Sequence, residues 1–151
     1  MARLWGKKEL YPEQRTGNSG HFYIDRDGST EQWVPLNRVA HHVRNLNQHT
    51  VGIELVNSGR YPDWFHSDQQ LMTEAYPDQQ ISALIDLLNQ LTALLPNLKT
   101  ICGHEELDTD MVSAENNADI MIRRKLDPGV LFPWAIVMDQ IPLKKQINKI
   151  L

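Results

Sequence analysis

The chain has 151 residues, which suits one domain with one core. Its hydrophobic share of 41% and charged share of 23% are ordinary for a globular domain, and a net charge of −4 gives a nucleic-acid partner no electrostatic support. No apolar run approaches the ~18 residues a membrane span requires, and Met1-Ala2-Arg3-Leu4-Trp5-Gly6-Lys7-Lys8 lacks the apolar centre of a secretory signal, so the chain as written is expected in the cytoplasm.

Residues 1–18 read as an irregular polar segment, 19–140 as the folded domain and 141–151 as a C-terminal tail. His21-Phe22-Tyr23-Ile24 reads as a strand. Asp25-Arg26-Asp27-Gly28 reads as a turn, because glycine tolerates the positive φ an Asp-Gly hairpin needs. The partner strand is expected at 31–35. A third strand spans 50–56, with Val51, Ile53 and Leu55 on one face and Gly52, Glu54 and Val56 on the other. Residues 57–76 form a long loop.

The clearest helix runs from Pro77, suited to a first helical position, to residue 95. Ile81, Leu84, Ile85, Leu88, Leu91 and Leu95 recur at spacings of three and four, and Pro96 ends the pattern. Lys99-Thr100-Ile101-Cys102-Gly103 is a short buried strand delivering His104. Residues 105–126 are a polar excursion with a helical turn expected near 118–122. Short helices are expected at 131–140 and 143–151. The predicted fold class is mixed α/β (α+β): a single domain with a central mixed β-sheet flanked by helices.

A few residues could carry chemistry. Cys102, the single cysteine, reads as a small buried hydrophobe; as a nucleophile it would have only His104 as a near base. His104 has three readings. It is a surface histidine, or it starts His104-Glu105-x-x-Asp108 as a variant of the zinc-binding H-E-x-x-H helix, or it shares a metal with Asp127. The helix variant lacks a second histidine, and Gly103 after a strand predicts a loop. In Lys125-Leu126-Asp127-Pro128-Gly129 the Lys-x-Asp spacing aims a cation and a carboxylate the same way, and the cation could steady an oxyanion. Glu54 stands mid-strand on the face of Gly52, either as part of an exposed sheet face or beside a substrate groove.

Four blocks in order carry a family resemblance: residues 19–28 (Ser19-Gly20-His21-Phe22-Tyr23 through Gly28), Val51-Gly52-Ile53-Glu54-Leu55-Val56-Asn57, Cys102-Gly103-His104-Glu105, and residues 125–134. Together they resemble the type 2 N-acetylmuramoyl-L-alanine amidases, zinc enzymes related to the peptidoglycan recognition proteins. The resemblance implies zinc as cofactor, peptidoglycan or a muropeptide as partner, and hydrolysis of the amide between N-acetylmuramic acid and L-alanine. It implies His104 and Asp127 as zinc ligands, Glu54 as the residue handling the attacking water, and Lys125 as the stabiliser of the tetrahedral intermediate. Ala40-His41 resembles pocket residues of the family, so His41 and Asn57 are the substrate-binding candidates. His42 and His49 read as polar loop, and His21 matches a histidine that is not a ligand.

Two departures stand out. The family's first zinc histidine follows an opening strand, and no histidine precedes His21 here. Either the natural protein begins upstream of Met1, the favoured expectation, or the site is incomplete and the domain is a non-catalytic muropeptide-binding module. In addition, residues 107–122 read as an inserted loop.

Overall fold

The structure, a computed structural model, describes residues 19–146. The irregular segment expected at 1–18 and the end of the expected tail lie outside the described residues. The first hairpin follows from its turn chemistry. β1 (Phe22–Ile24) and β2 (Thr30–Gln32) pair antiparallel, with Phe22 opposite Gln32. Gly28 takes φ 85° and donates its N–H to the Asp25 carbonyl at 3.0 Å, the conformation predicted for it. β2 starts one residue early and ends before Trp33, whose N–H instead binds the His21 carbonyl at 2.9 Å.

β3 (Ile53–Leu55) joins β1 in parallel, with Tyr23 opposite Glu54, giving a mixed sheet in the order β2-β1-β3. A parallel pair needs a long crossover, and residues 33–52 supply it. Glu54 and Val56 are buried rather than on an exposed face, and Leu55 on the opposite face is buried too, so both faces of this strand are covered.

α1 (Asp78–Leu94) follows Pro77, which caps the helix from outside instead of starting it. Ile81, Leu84, Ile85, Leu88 and Leu91 are buried as their spacing predicts. Gln80 is the exception on that face: fully buried, its amide donates to the carbonyls of Ile24 and Val56 at 3.0 Å each. It ties the helix to the ends of β1 and β3 and satisfies two acceptors that burial would otherwise strand. Phe22, Ile24, Leu55, Phe132, Val137, Ile141 and Leu143 complete the core around the α1 stripe.

β4 (Thr100–Ile101) leads through Gly103 into α2 (His104–Leu107), a single turn where a loop was expected. The polar excursion contains an antiparallel hairpin, β5 (Met111–Ser113) and β6 (Met121–Arg123), and residues 121–122 are strand rather than the expected helical turn. Pairing with β5 overrides the weak local pattern there. α3 (Trp134–Asp139) falls within the expected 131–140 helix. The helix expected from 143 is replaced at its start by β7 (Lys144–Lys145), which pairs parallel with β4. Backbone pairing and burial of Leu143 decide that segment. The molecule is thus a mixed α/β single domain, as expected. No helix among the described residues is long and apolar enough to cross a membrane.

Candidate active site

Among the described residues β3 pairs only with β1, and β4 only with β7. A cavity of about 310 Å³ is bounded by both strands, and Leu84, Leu88 and Leu91 of α1 form part of its wall. His42, Glu54, His104 and Asp127 also line it.

The Glu54 side chain packs beside Gly20, which precedes β1. A Cβ on Gly20 would stand 2.5 Å from the Glu54 Cγ, so only glycine there leaves room for the side chain. Glu54 Oε2 is shielded and has no hydrogen-bond partner among the described residues. Burial pushes the carboxyl up to about 7; the negative charge of Asp127 adds to this and the cation of Lys125 opposes it. A buried carboxyl tuned near neutrality suits general-base work.

His104 and Asp127 meet across the cavity wall, with His104 Nδ1 3.1 Å from Asp127 Oδ2. The approach rests on backbone. A Cβ on Gly103 would stand 2.6 Å from the Pro128 Cδ, so glycine allows the two segments to touch. The Glu105 N–H donates to the Asp127 carbonyl at 3.0 Å, and the Tyr76 hydroxyl donates to the Pro128 carbonyl at 2.8 Å. The Arg60 guanidinium, buried, donates to the carbonyls of Arg123 and Arg124 at 3.0 and 2.8 Å, just before Lys125. Burial works against the Asp127 charge, but the hydrogen bond and charge of His104, with Lys125, hold its carboxyl well below the usual range.

This donor pair fits a zinc ion. Nitrogen and oxygen each bound at about 2.0–2.1 Å in a tetrahedron stand roughly 3.3 Å apart, close to the 3.1 Å observed. Among the described residues no third histidine, cysteine or carboxylate completes a metal-binding group.

The structure therefore gathers Glu54, His104 and Asp127 at one cavity, with the Lys125 charge acting on both carboxylates. His41 is exposed and does not line the cavity. Asn57 is buried, with its amide donating to the Glu74 carbonyl and accepting from the Gly59 N–H. His42, one residue along from His41, does line the cavity. Its Nε2 lies 2.8 Å from Thr50 Oγ1, and because that hydroxyl donates to Leu46, Nε2 carries the proton. Burial lowers its pKa to about 4, so the ring is neutral. His21 is structural as expected: Nδ1 accepts from the Gly52 N–H and Nε2 donates to the Arg38 carbonyl. Cys102 is half-buried, and burial pushes its thiol up to about 11, which leaves little nucleophilic thiolate at neutral pH. Arg60 and Tyr76 carried no sequence signal, because what they hold is backbone carbonyls distant in the chain.

Comparison with known proteins gives the family and the fold. The sequence model Amidase_2, N-acetylmuramoyl-L-alanine amidase, matches residues 3–130. The 1,6-anhydro-N-acetylmuramyl-L-alanine amidase AmpD of Escherichia coli (strain K12) is 29% identical over 126 residues, covering 78% of this chain and 55% of that protein. AmpD of Haemophilus influenzae is 26% identical over 133 residues, covering 82% of this chain and 58% of that protein. The chain spans just over half the length of these curated relatives. A crystal structure of a selenomethionine AmpD derivative aligns with TM-score 0.56 at 26% identity, over 84% of this chain and 62% of that one. AmiD from E. coli, in complex with anhydro-N-acetylmuramic acid-L-Ala-D-gamma-Glu-L-Lys, shares the fold with TM-score 0.65 at 22% identity, over 89% of this chain and 52% of that one.

Proposed function

Because the chain belongs to the N-acetylmuramoyl-L-alanine amidase family, we propose that it hydrolyses the amide between N-acetylmuramic acid and L-alanine in peptidoglycan or muropeptides. The observation that carries this reading is Glu54: a buried carboxyl tuned to about 7 at the same cavity as the His104–Asp127 pair. A general base must be available near neutral pH beside an electrophile-activating site, and these residues meet both requirements.

In this reading His104 and Asp127 hold zinc. Zinc supplies Lewis acidity to the scissile carbonyl and to the attacking water. Glu54 takes the water's proton and passes it to the leaving amine. Lys125 offsets the negative charge that develops on the carbonyl oxygen. The apolar wall from α1 limits water around the reacting groups and strengthens each of these electrostatic effects.

One observation favours a second reading. A catalytic zinc usually has three protein ligands, and the described residues supply two, so the domain could bind muropeptides without cutting them. One experiment separates the readings. Zinc content of the purified chain is measured together with cleavage of an N-acetylmuramoyl-L-alanyl peptide, followed by mass spectrometry. Stoichiometric zinc with release of the free peptide supports the amidase. Peptide binding without zinc or cleavage supports the binding module.

A further inference from the structure

We propose that Arg44 and Arg124 form a subsite for a carboxylate on the peptide part of the ligand, and that Asp110 fills this subsite until the ligand arrives. The proposal rests on the reading above that a muramoyl peptide binds here. It holds whether the peptide is cut or only bound, and no metal enters it.

The two arginines come from segments that flank the cavity. His42 and Val43, just before Arg44, line it, and so does Leu107 at the end of α2. Asp110 follows three residues later. The pairing of β5 with β6 sets Arg124 beside it, and the Arg124 N–H donates to the Asp110 carbonyl at 2.9 Å. Arg44 Nη1 lies 2.9 Å from Asp110 Oδ2, and Arg124 Nε lies 4.0 Å from the same oxygen. One carboxylate oxygen thus serves two guanidinium groups. The reacting groups are near. Arg124 adjoins Lys125, and its Nη2 pairs with Asp108, whose Oδ2 is 3.9 Å from His104 Nε2. These contacts put Asp110 Oδ2 within about 12 Å of His104, and a carboxylate two or three residues past the scissile amide of an extended peptide lies about 7–11 Å from that amide.

Asp110 is a replaceable occupant. Its side chain is 56% exposed and that of Arg44 60%, and an ion pair so exposed contributes little net stability. The carbonyl contact to Arg124 holds the Asp110 backbone, so the side chain can turn into water without moving its strand. Arg124 gains little from the present arrangement. Its Nε is shielded and has no hydrogen-bond partner among the described residues, because 4.0 Å is too long for one. Burial lowers the Arg124 pKa and the charge of Arg44 lowers it further, so the two cations repel unless an anion stands with them. A carboxylate on a flexible peptide is not tied to this backbone. It can place one oxygen on each guanidinium, which Asp110 does not do.

The test uses the full chain and four probes: N-acetylmuramoyl-L-alanyl-glycine and N-acetylmuramoyl-L-alanyl-diglycine, each as C-terminal acid and as C-terminal amide. Affinity is read by calorimetry, with thermal midpoints of each variant measured in parallel. Wild type should bind at least one acid more tightly than its amide, and the preference should shrink in 1 M sodium chloride. Arg44→Gln should weaken the preferred acid roughly 5–10-fold and remove the preference. Asp110→Asn should tighten that acid several-fold, because the internal competitor is gone and more of the protein is open to the ligand. If wild type binds acids and amides equally, if Arg44→Gln weakens both forms alike, or if Asp110→Asn weakens the acid, the Arg44–Asp110 pair is only a brace between two loops and the proposal falls. A folded wild-type chain that binds none of the four probes overturns the muramoyl-peptide reading itself.

Discussion

The α1 half of the molecule and the segment from 104 to 127 are built on different principles. In the first, apolar residues at helical spacing bury against β1 and β3, and seven α1 residues are buried, Gln80 among them. In the second, β5 and β6 leave Met111 and Met121 about half exposed. That hairpin is held instead by charge and carbonyl contacts: Arg60 to Arg123 and Arg124, Arg44 to Asp110, Arg124 to Asp108. Area burial scales with apolar contact, so the first region supplies most of the global stability. The second fixes positions without adding much area. Glu54 comes from the first region, and His104, Lys125 and Asp127 from the second. The site lies at their seam.

Glu54 should show the largest effect, because it is where the apolar half enters the chemistry. Glu54→Gln keeps the size and removes the base, so hydrolysis should fall by ~10²–10⁴ while muropeptide binding persists. Wild-type activity should rise as pH passes through about 7, where Glu54 loses its proton, and level off above. The stability sign follows from the same shift. The folded pKa is above the unfolded value of ~4.3. The stability Glu54 contributes is therefore present below that unfolded value and lost as pH rises through the folded one. Glu54→Gln should melt higher than wild type at pH 8, with the gap closing toward pH 4. Full activity in the variant, or a gap that grows toward acid, would remove Glu54 from the mechanism.

Ile81→Ala tests the other side of the comparison. Ile81 is 5% exposed in the core and does not line the cavity. Its truncation should cost ~2–5 kcal/mol of stability, read from the urea midpoint, while the folded fraction keeps its turnover within a few-fold. A large fall in turnover of the still-folded protein would mean that the two regions are not separable.

That division also explains what the sequence made legible. The α1 stripe, the Asp25–Gly28 turn and the approximate positions of the first three strands were readable because periodicity and turn chemistry are local. The placements of Glu54, His104 and Asp127 around one cavity followed the ordered blocks. The β5–β6 hairpin was not readable, since its short strands carry little alternation and its contacts reach residues as distant as Arg44 and Arg60. The turn at 104–107 was missed because its glycine N-terminus looked like a loop; Glu106, accepting from the Gly103 N–H at 2.7 Å and pairing with Lys145, secures it from outside the local pattern. His42 was passed over for His41, because two adjacent histidines in a loop give no period to choose between them.

Lys125 sits in the polar half and should act on the transition state more than on binding. Lys125→Ala should reduce kcat by ~10²–10³, the loss expected for one oxyanion donor, with KM changed far less and the thermal midpoint close to wild type. A variant in which only KM rises would make Lys125 a substrate-binding residue.

The smallest effect should come from Arg60, and it examines whether polar contacts alone hold the second region in place. The guanidinium is buried and donates to Gln70 Oε1 at 2.9 Å as well as to the two β6-end carbonyls, with its charge over the Phe65 ring. Burial lowers its pKa, yet an arginine remains protonated at any working pH. Arg60→Met keeps the length and apolar stem but leaves the Arg123 and Arg124 carbonyls without their charged donor. Hydrogen bonds to charged groups contribute about 1.5–3 kcal/mol each, and partial rehydration of carbonyls near the surface recovers some of that. The loss should therefore be local. Hydrogen exchange should quicken through 108–127 and remain slow in α1, the global midpoint should drop by only a few degrees, and turnover should fall several-fold because Lys125 and Asp127 follow directly on the loosened strand. Uniform quickening across α1 as well would show that the two regions unfold as one unit, and the contrast between an apolar scaffold and a polar, separately held site segment would fall.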